Sequence, residues 1–206
     1  MRVLIACESS GVERDAFTAA GHDAMSCDLL ETQSPGPHYT GDVRDLMGEP
    51  WDLVIAHPPC TYLSNSGVRW LHTDPGRWAL LDEGAAFFAA MWDFDTPRLC
   101  VENPVQHRYA VERHGKGKPA QTVQPWQFGH LQTKRTAYWL DGLPPLIATT
   151  DLEAETFALP MAERAKVHYA SPGPDRWRAR SLSFTGIAAA MADQWGRVGA
   201  SQPALI

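Results

Sequence analysis

The hydrophobic and polar positions of the first hundred residues repeat with two alternating periods. Short apolar runs have the length of buried strands: Arg2–Ala6, Asp23–Cys27, Trp51–Ala56 and Pro97–Val101. Between them, Gly11–Ala20 and Arg77–Trp92 carry apolar residues at helical spacing. Strands that alternate with helices in this way predict βαβ crossovers, a mostly parallel sheet and helices on both of its faces. The fold class predicted is therefore α/β and doubly wound.

The longer predicted helix, Arg77–Trp92, shows the clearest apolar face in the chain. Its face is made of apolar residues spaced by three, four or seven positions: Leu80, Leu81, Ala85, Phe88, Ala89 and Trp92. We expect this face to pack on the sheet.

The pattern changes after Pro104. Gln121–Phe128 and Thr136–Leu140 predict a hairpin on the sheet edge, bridged by Gly129–Arg135. A short helix is expected near Pro160–Val167, and Ser183–Trp195 predicts a closing helix. We therefore expect one domain over residues 1–206, with a cofactor-binding and catalytic half (1–103) and a half of hairpin, basic loops and closing helix (104–206).

Composition narrows the class of protein. The 206 residues are 44% hydrophobic and 20% charged, which is ordinary for a soluble globular protein. No run approaches the roughly 18 apolar residues of a membrane span, and the N-terminus does not resemble a signal peptide. We expect a cytoplasmic protein without a membrane partner. The four cysteines lie far apart and are expected to be reduced thiols.

Charge is distributed unevenly along the chain. Residues 1–103 hold 6 lysines and arginines against 16 aspartates and glutamates, whereas residues 104–206 hold 12 against 8. The basic residues cluster in segments 104–140 and 164–180. Such clusters are typical of a phosphate-facing surface, but also of ordinary solvated loops and helices, and composition alone leaves both open.

The candidate chemistry lies where predicted strands end, because open α/β sheets bind ligands at the carboxyl ends of their strands. Asp28 ends the second strand, where an acidic residue often holds the hydroxyl groups of a ribose but also occurs as an ordinary helix cap. The loop Pro58-Pro59-Cys60 follows a buried strand and holds a thiol on a stiff turn. Glu102 ends another strand 42 residues later, an interval that leaves room for one crossover helix. We therefore expect Cys60 and Glu102 at neighbouring strand ends, facing one cleft.

Several segments together resemble the DNA cytosine-5 methyltransferase family. The segment Pro58–Gly67 resembles the family's catalytic loop, and Glu102-Asn103 its Glu-Asn-Val motif. Gly41-Asp42 is similar to a motif near the cofactor's adenine, Gly129–Tyr138 to the Gly-Val-Pro-Gln-x-Arg-x-Arg hairpin, and Thr185–Ile187 to the last motif. The resemblance follows family order along nearly the whole chain. It implies a Rossmann-like methyltransferase fold with a C-terminal hairpin, and S-adenosylmethionine as cofactor.

The resemblance also implies a reaction and a set of site residues. In this family a cysteine attacks C6 of a flipped cytosine while a glutamate holds its N3 and amine, and C5 then receives the methyl group. The catalytic residues implied here are Cys60, Glu102, Asn103, Lys134 and Arg135. The implied cofactor-binding residues are Cys7, Glu8, Ser9, Ser10, Gly11, Asp28, Asp42, His57 and Pro58. DNA contacts are expected from Ser64, Arg176, Arg178 and Arg180.

The chain departs from the family pattern in ways that keep alternatives open. The cofactor loop retains one glycine, Gly11, and Thr61 replaces a glutamine after the cysteine. Only about forty residues stand where the family has a large target-recognition domain, so a short or absent sequence preference is expected. The chain in this respect resembles the minimal methyltransferase-like proteins of bacteriophages. Two alternatives stay open: the same chemistry on a nucleotide, an RNA or a modified phage base, and a non-catalytic nucleic-acid-binding protein that retains the fold. The histidines show no metal spacing, and no metal is expected.

Overall fold

The computed structural model describes residues 1–169, 173 and 182–198. Seven strands form one sheet: β1 (Arg2–Ala6), β2 (Asp23–Asp28), β3 (His38–Thr40), β4 (Leu53–Ala56), β5 (Leu99–Pro104), β6 (Gln121–Val123) and β7 (Thr136–Asp141). Their spatial order is β3-β2-β1-β4-β5-β7-β6. The first five strands are parallel to one another, while β7 is antiparallel to both β5 and β6. The predicted α/β fold class, with a mostly parallel and Rossmann-like sheet, is therefore confirmed.

Helices connect the strands. The α-helices of the described residues are α1 (Val12–Ala19), α2 (Arg77–Ala90), α3 (Arg108–His114), α4 (Glu153–Ala158), α5 (Met161–Arg164), α6 (Lys166–Tyr169) and α7 (Thr185–Trp195). Short 3₁₀ helices occur at Val43–Leu46, Asn65–His72, Met91–Asp93 and Pro125–Phe128. Within this part of the chain, no helix combines the length and the apolar character needed to cross a lipid bilayer.

Successive side chains of a strand point to opposite faces, and this alternation builds two hydrophobic cores. Leu4 of β1 packs in a core that includes Leu81 and Phe88 of α2. Ile5, the next residue, packs in a second core with Phe17 of α1 and Trp195 of α7. Helices therefore cover both faces of the sheet, as the alternating pattern predicts.

The expected hairpin needs one correction. Strand β7 pairs with β5 as well as β6, so β7 lies inside the sheet and only β6 lies at this edge. The predicted run Gln121–Phe128 divides into β6 and a 3₁₀ turn, because Pro125 cannot donate a ladder hydrogen bond.

The long helix also differs from its prediction. It ends at Ala90 and passes into the 3₁₀ turn Met91–Asp93, and Leu80 is exposed while Leu81, Ala85 and Phe88 are buried. The buried face of α2 is thus narrower than the sequence pattern indicates.

Candidate active site

Asn103 fastens the loop that follows β4 to the end of β5. Its side chain is 1% exposed, and Nδ2 donates a hydrogen bond of 2.8 Å to the carbonyl of Pro58. Its Oδ1 accepts one from Gln106 at 3.2 Å. Because β4 and β5 are parallel neighbours, this amide holds the Pro58–Cys60 turn beside the strand that ends with Glu102. The predicted adjacency of the two strand ends is therefore confirmed.

The loop that carries Cys60 is held along its length by backbone hydrogen bonds. The carbonyl of Cys60 accepts the N–H groups of Leu63 and Ser64, both at 3.0 Å. Leu63 is fully buried, and His107 bonds the loop through its own N–H and its ring Nε2. Ser64 forms a bridge to Gln106, and its hydroxyl bonds that of Ser66. The partly exposed Cys60 side chain therefore stands on a fixed turn.

Glu102 lies beside His57, which the resemblance implies to be a cofactor-binding residue. His57 Nδ1 is 3.3 Å from Glu102 Oε2. Burial opposes ionisation of Glu102, but the hydrogen bond and charge of His57, with Lys134 nearby, hold the pKa of Glu102 below its usual value. Glu102 is therefore a carboxylate at neutral pH.

A second carboxylate faces the other side of the His57 ring. Nε2 of His57 lies 3.5 Å from Oε1 of Glu13, a residue of α1 that is 1% exposed. Burial disfavours the charged imidazole, but Glu13 and Glu102 outweigh it and raise the pKa of His57 from 6.5 to about 9. Burial raises the pKa of Glu13, which His57 and a hydrogen bond from Ser183 partly offset. His57 is thus an imidazolium between the buried carboxyl group of Glu13 and the partly buried one of Glu102.

The hairpin loop and the last helix close this cluster. Lys134 Nζ donates to the carbonyl of Leu182 at 3.2 Å, and the N–H of Gly186 donates to His130 Nε2 at 3.0 Å. Arg135, the neighbour of Lys134, is exposed. The two segments that resemble family motifs around the catalytic cleft therefore meet here. The predicted DNA contacts Arg176, Arg178 and Arg180 lie outside the described residues.

The loop after β1 carries its own anion. The Glu8 carboxylate, 8% exposed, accepts hydrogen bonds from the Ser10 hydroxyl and from the N–H groups of Ser10 and Gly11 at the start of α1. These amides form the kind of helix N-terminus that binds anions. The backbone donors of Ser10 and Gly11, two of the implied cofactor-binding residues, are therefore already bonded to Glu8.

Two loop residues have a left-handed backbone. Cys7 adopts φ 59°, and Gly11 adopts φ 82°. A Cβ at Gly11 would lie 2.5 Å from Arg14 Nη2, so the one retained glycine has a packing reason of its own. Burial, together with Cys27, Asp28 and Asp42, raises the pKa of the Cys7 thiol. Cys7 is therefore a neutral thiol and no nucleophile at neutral pH.

Asp28 and Asp42 flank the same loop at the ends of β2 and β3. Asp28 Oδ1 accepts the N–H of Leu30 at 3.0 Å, and Leu29 between them is 74% exposed. Asp42 is paired with Arg44, whose hydrogen bonds lower the pKa of this carboxyl to about 2. The structure thus brings Cys7, Asp28 and Asp42 together, with Asp42 already paired to Arg44.

Sequence reasoning missed two residues of α1, Glu13 and Arg14. Arg14 is fully buried, and its guanidinium donates to Asp15, to the hydroxyls of Ser26 and Thr32, and to the carbonyls of Ser34 and Pro35. It fixes the segment that follows Asp28 against α1. Glu13 and Arg14 stand four and three residues before buried Phe17, so helical spacing already placed both charges on a buried face.

Two further features of the described residues concern metal-binding groups and cavities. Residues 1–169, 173 and 182–198 contain no group of three or more histidine, cysteine or acidic side chains that could hold a metal ion. A groove of about 410 Å³ lies between α3 and β6, lined by residues that include Arg108, Val111, Lys118 and Trp139. None of the predicted site residues lines this groove.

Comparisons with known proteins give structural neighbours alone. No protein-family model and no curated protein matches the chain. A prophage-encoded E. coli protein described as a DNA modification methyltransferase is similar over 78% of this chain, with 16% identity and a TM-score of 0.44. An rRNA methylase from Escherichia coli is similar over 68%, with 15% identity and a TM-score of 0.37. A mutant DNMT2 from Spodoptera frugiperda is similar over 74%, with 13% identity and a TM-score of 0.37.

The chain spans 55%, 56% and 53% of these three proteins, about half of each. The fold assignment accordingly rests on the order and direction of the strands in the sheet.

Proposed function

We propose that the protein is an S-adenosylmethionine-dependent methyltransferase that methylates C5 of cytosine in DNA through a covalent bond between Cys60 and C6. The observation that carries this proposal is the buried hydrogen bond from Asn103 to the carbonyl of Pro58. It clamps the Cys60 turn beside the ionised carboxylate of Glu102. A thiol and a carboxylate fixed at adjacent strand ends suit attack on an electron-poor ring with support at a ring nitrogen.

Cys60, Glu102 and Asn103 have separate roles in the proposed reaction. Cys60 adds to C6, and Glu102 binds the N3 and amine edge of the base. Asn103 holds the two in register by its amide. The cleft that Glu102 shares with Lys134 has a volume of only about 20 Å³, far below that of typical ligand pockets. A flipped base therefore fits beside Glu102 only after this cleft widens.

The residues around the β1 loop fit an S-adenosyl group. S-adenosylmethionine, when bound, supplies an electrophilic methyl group. Asp28 would hold the ribose hydroxyls, and the exposed Leu29 beside it offers an apolar face to the adenine ring. Glu8 presents a carboxylate at the loop, which suits the ammonium of the cofactor and disfavours its carboxylate. These residues thus fit the nucleoside end of the cofactor better than its amino-acid end.

Nucleic acid would be held by a small number of cations. The proposal assigns phosphate contacts to Lys134, Arg135 and the basic residues before α7, with Ser64 on the catalytic loop. Such contacts position a strand without reading its sequence. We therefore expect weak, steeply salt-dependent binding and a short sequence preference.

The experiment uses a suicide base. An oligonucleotide that carries 5-fluorodeoxycytidine should form a denaturation-resistant adduct with the protein when S-adenosylmethionine is present, because fluorine at C5 blocks release of the thiol. Cys60→Ser should form none, while Cys100→Ala, a change at a buried cysteine of β5, should form the wild-type amount. Methyl transfer to DNA, RNA and free nucleotides, measured by mass spectrometry, then defines the substrate.

Failure of every substrate and of the trap would sink the enzymatic proposal. A non-catalytic nucleic-acid-binding protein is the second candidate, and Glu8 on the loop amides is the observation that favours it. Calorimetry with S-adenosylhomocysteine separates the two. Binding that is lost in Asp28→Asn supports the methyltransferase, whereas no binding by the wild type supports the binder.

A further inference from the structure

Glu13, which is buried, and His57, whose side chain is 14% exposed, are titratable residues that the proposed reaction leaves unused. His57 sits between Glu102 Oε2 at 3.3 Å and Glu13 Oε1 at 3.5 Å. Two of the atoms concerned, Glu13 Oε2 and His57 Nε2, are buried without a hydrogen-bond partner in the described structure. Buried polar atoms of this kind are uncommon in proteins and call for an explanation.

Packing alone does not require this cluster. A buried glutamate without full hydrogen bonding destabilises a protein, and an apolar residue at position 13 would pack beside Phe17 on α1 at lower cost. A histidine that faces carboxyl oxygens with both ring nitrogens is held in its charged, doubly protonated form. The cluster therefore stores a proton next to Glu102.

We propose that His57, held charged by Glu13, is a positioning residue that supplies the proton which Glu102 passes to N3 of the target base. The proposal rests on the function proposed above. When the Cys60 sulfur bonds to C6, the C5–C6 electron pair shifts to form C4=C5, and the C4=N3 pair moves onto N3. The Nδ1–H bond of His57 breaks as a proton moves to Glu102, and the same carboxylate delivers it to N3.

The reverse transfer completes the cycle. When C5 loses its proton to solvent, the electron pair of that C–H bond forms C5=C6 and the S–C6 bond breaks. N3 then returns its proton through Glu102 to His57. Glu102 begins and ends as a carboxylate, and His57 alternates between its charged and neutral forms. Glu13 offsets the charge of His57 at the start and never touches the base.

The charge of His57 depends on groups from every element packed around it. Those that face the cluster are Glu8 before α1, Glu13 of α1, Cys100 and Glu102 of β5, Lys134 of the hairpin loop, Tyr138 of β7 and Ser183 before α7. Burial raises the pKa of Cys100 and of Tyr138, so both stay neutral. The carboxyl groups therefore dominate the pKa of His57.

The first test measures the pKa of His57 directly and needs no cofactor or substrate. Titration of His57 by NMR of ¹⁵N-histidine-labelled protein should show a pKa near 9 in the wild type. In Glu13→Gln, which keeps the size of the side chain, this pKa should fall by more than one unit. Glu112→Gln, at an exposed position of α3, should leave it unchanged. Titration of His57 near its ordinary 6.5 in the wild type would overturn the proposal.

The second test follows the proton in catalysis. Reversible addition of Cys60 should exchange the C5 hydrogen of cytosine for deuterium in heavy water, without cofactor. We expect His57→Gln to slow this exchange at least about tenfold. The wild-type rate should fall as pH rises through about 9, and in Glu13→Gln this fall should move to lower pH. Exchange by His57→Gln at the wild-type rate and pH profile would overturn the proton relay alone. Absence of both exchange and the fluorocytosine adduct in the wild type would overturn the proposed function as well.

Discussion

Two acidic regions lie side by side along the carboxyl edge of the sheet, and they neutralise their charge differently. At the ends of β1, β2 and β3, the carboxylates accept hydrogen bonds from residues at most three positions away in sequence. Glu8 accepts one from Gly11, and Asp42 accepts one from Arg44. At the ends of β4 and β5, Glu102 depends on His57, which is 45 residues away in sequence. The first region is a set of local caps, whereas the second exists only in the folded chain.

The contrast shows how each region responds to change. A local cap keeps most of its hydrogen bonds when the rest of the molecule shifts. The Glu13–His57–Glu102 cluster needs α1, β4 and β5 in their native positions. The pKa of His57 is therefore sensitive both to folding and to changes within the site. The predictions below test this difference.

The largest effect is expected at Arg14, a buried cation of the first region that bonds residues far from it in sequence. Replacing Arg14 with Met removes the donor to the carbonyl of Pro35 and one donor to that of Ser34, which the Thr32 hydroxyl also bonds. We expect it to lower the free energy of unfolding by about 4 kcal/mol. Urea denaturation followed by tryptophan fluorescence measures this. Arg197→Met, at an exposed position after α7, should change it by less than about 0.5 kcal/mol. A loss below about 1 kcal/mol in Arg14→Met would show that water takes over these bonds.

The second effect concerns pH. His57 has a pKa near 9 when folded and 6.5 when unfolded, so the folded state binds its proton more tightly. The resulting stabilisation is fully present below pH 6.5 and disappears as pH rises through about 9. It amounts to at most about 3 kcal/mol. Unfolding free energies measured between pH 6 and pH 10 should fall less steeply in His57→Gln than in the wild type. Parallel curves for the two proteins would contradict the buried imidazolium.

Glu8 should give a smaller loss. Glu8→Ala removes the acceptor for the Ser10 and Gly11 amides, and a lost helix cap of this kind costs about 1 to 2 kcal/mol. Thermal unfolding detects the change, with Glu112→Ala as the exposed control. A variant as stable as the wild type would mean that the loop amides find other acceptors.

The smallest effect is expected at Asp42. Its pKa is lowered to about 2 by Arg44, so any stabilisation is present above the usual value of 3.8 and is lost as pH falls toward 2. The pair is exposed, and solvent screens it. Asp42→Asn should therefore unfold at the wild-type temperature at pH 7. A clear drop would place Asp42 among the structural groups of the first region.

Much of this architecture could be predicted from residue spacing. Buried strands such as β1 and β4 are unbroken apolar runs, and parallel pairing then places Cys60 and Glu102 at one edge. The Glu13–His57 contact could not be predicted, because two residues 44 positions apart meet only through tertiary packing. Helix α3 was missed because its apolar face is too short, and its start depends on a hydrogen bond that the His107 side chain accepts from Ala110.

Adjacent residues of α1 reach into both regions. Glu13 extends to His57, and Arg14 grips the segment that follows Asp28. The helix has only eight residues, and both side chains are buried, so a rotation about its axis displaces both contacts at once. Because both side chains belong to one short helix, we expect a displacement at the place proposed for the cofactor to shift Glu13 at the place proposed for the base as well.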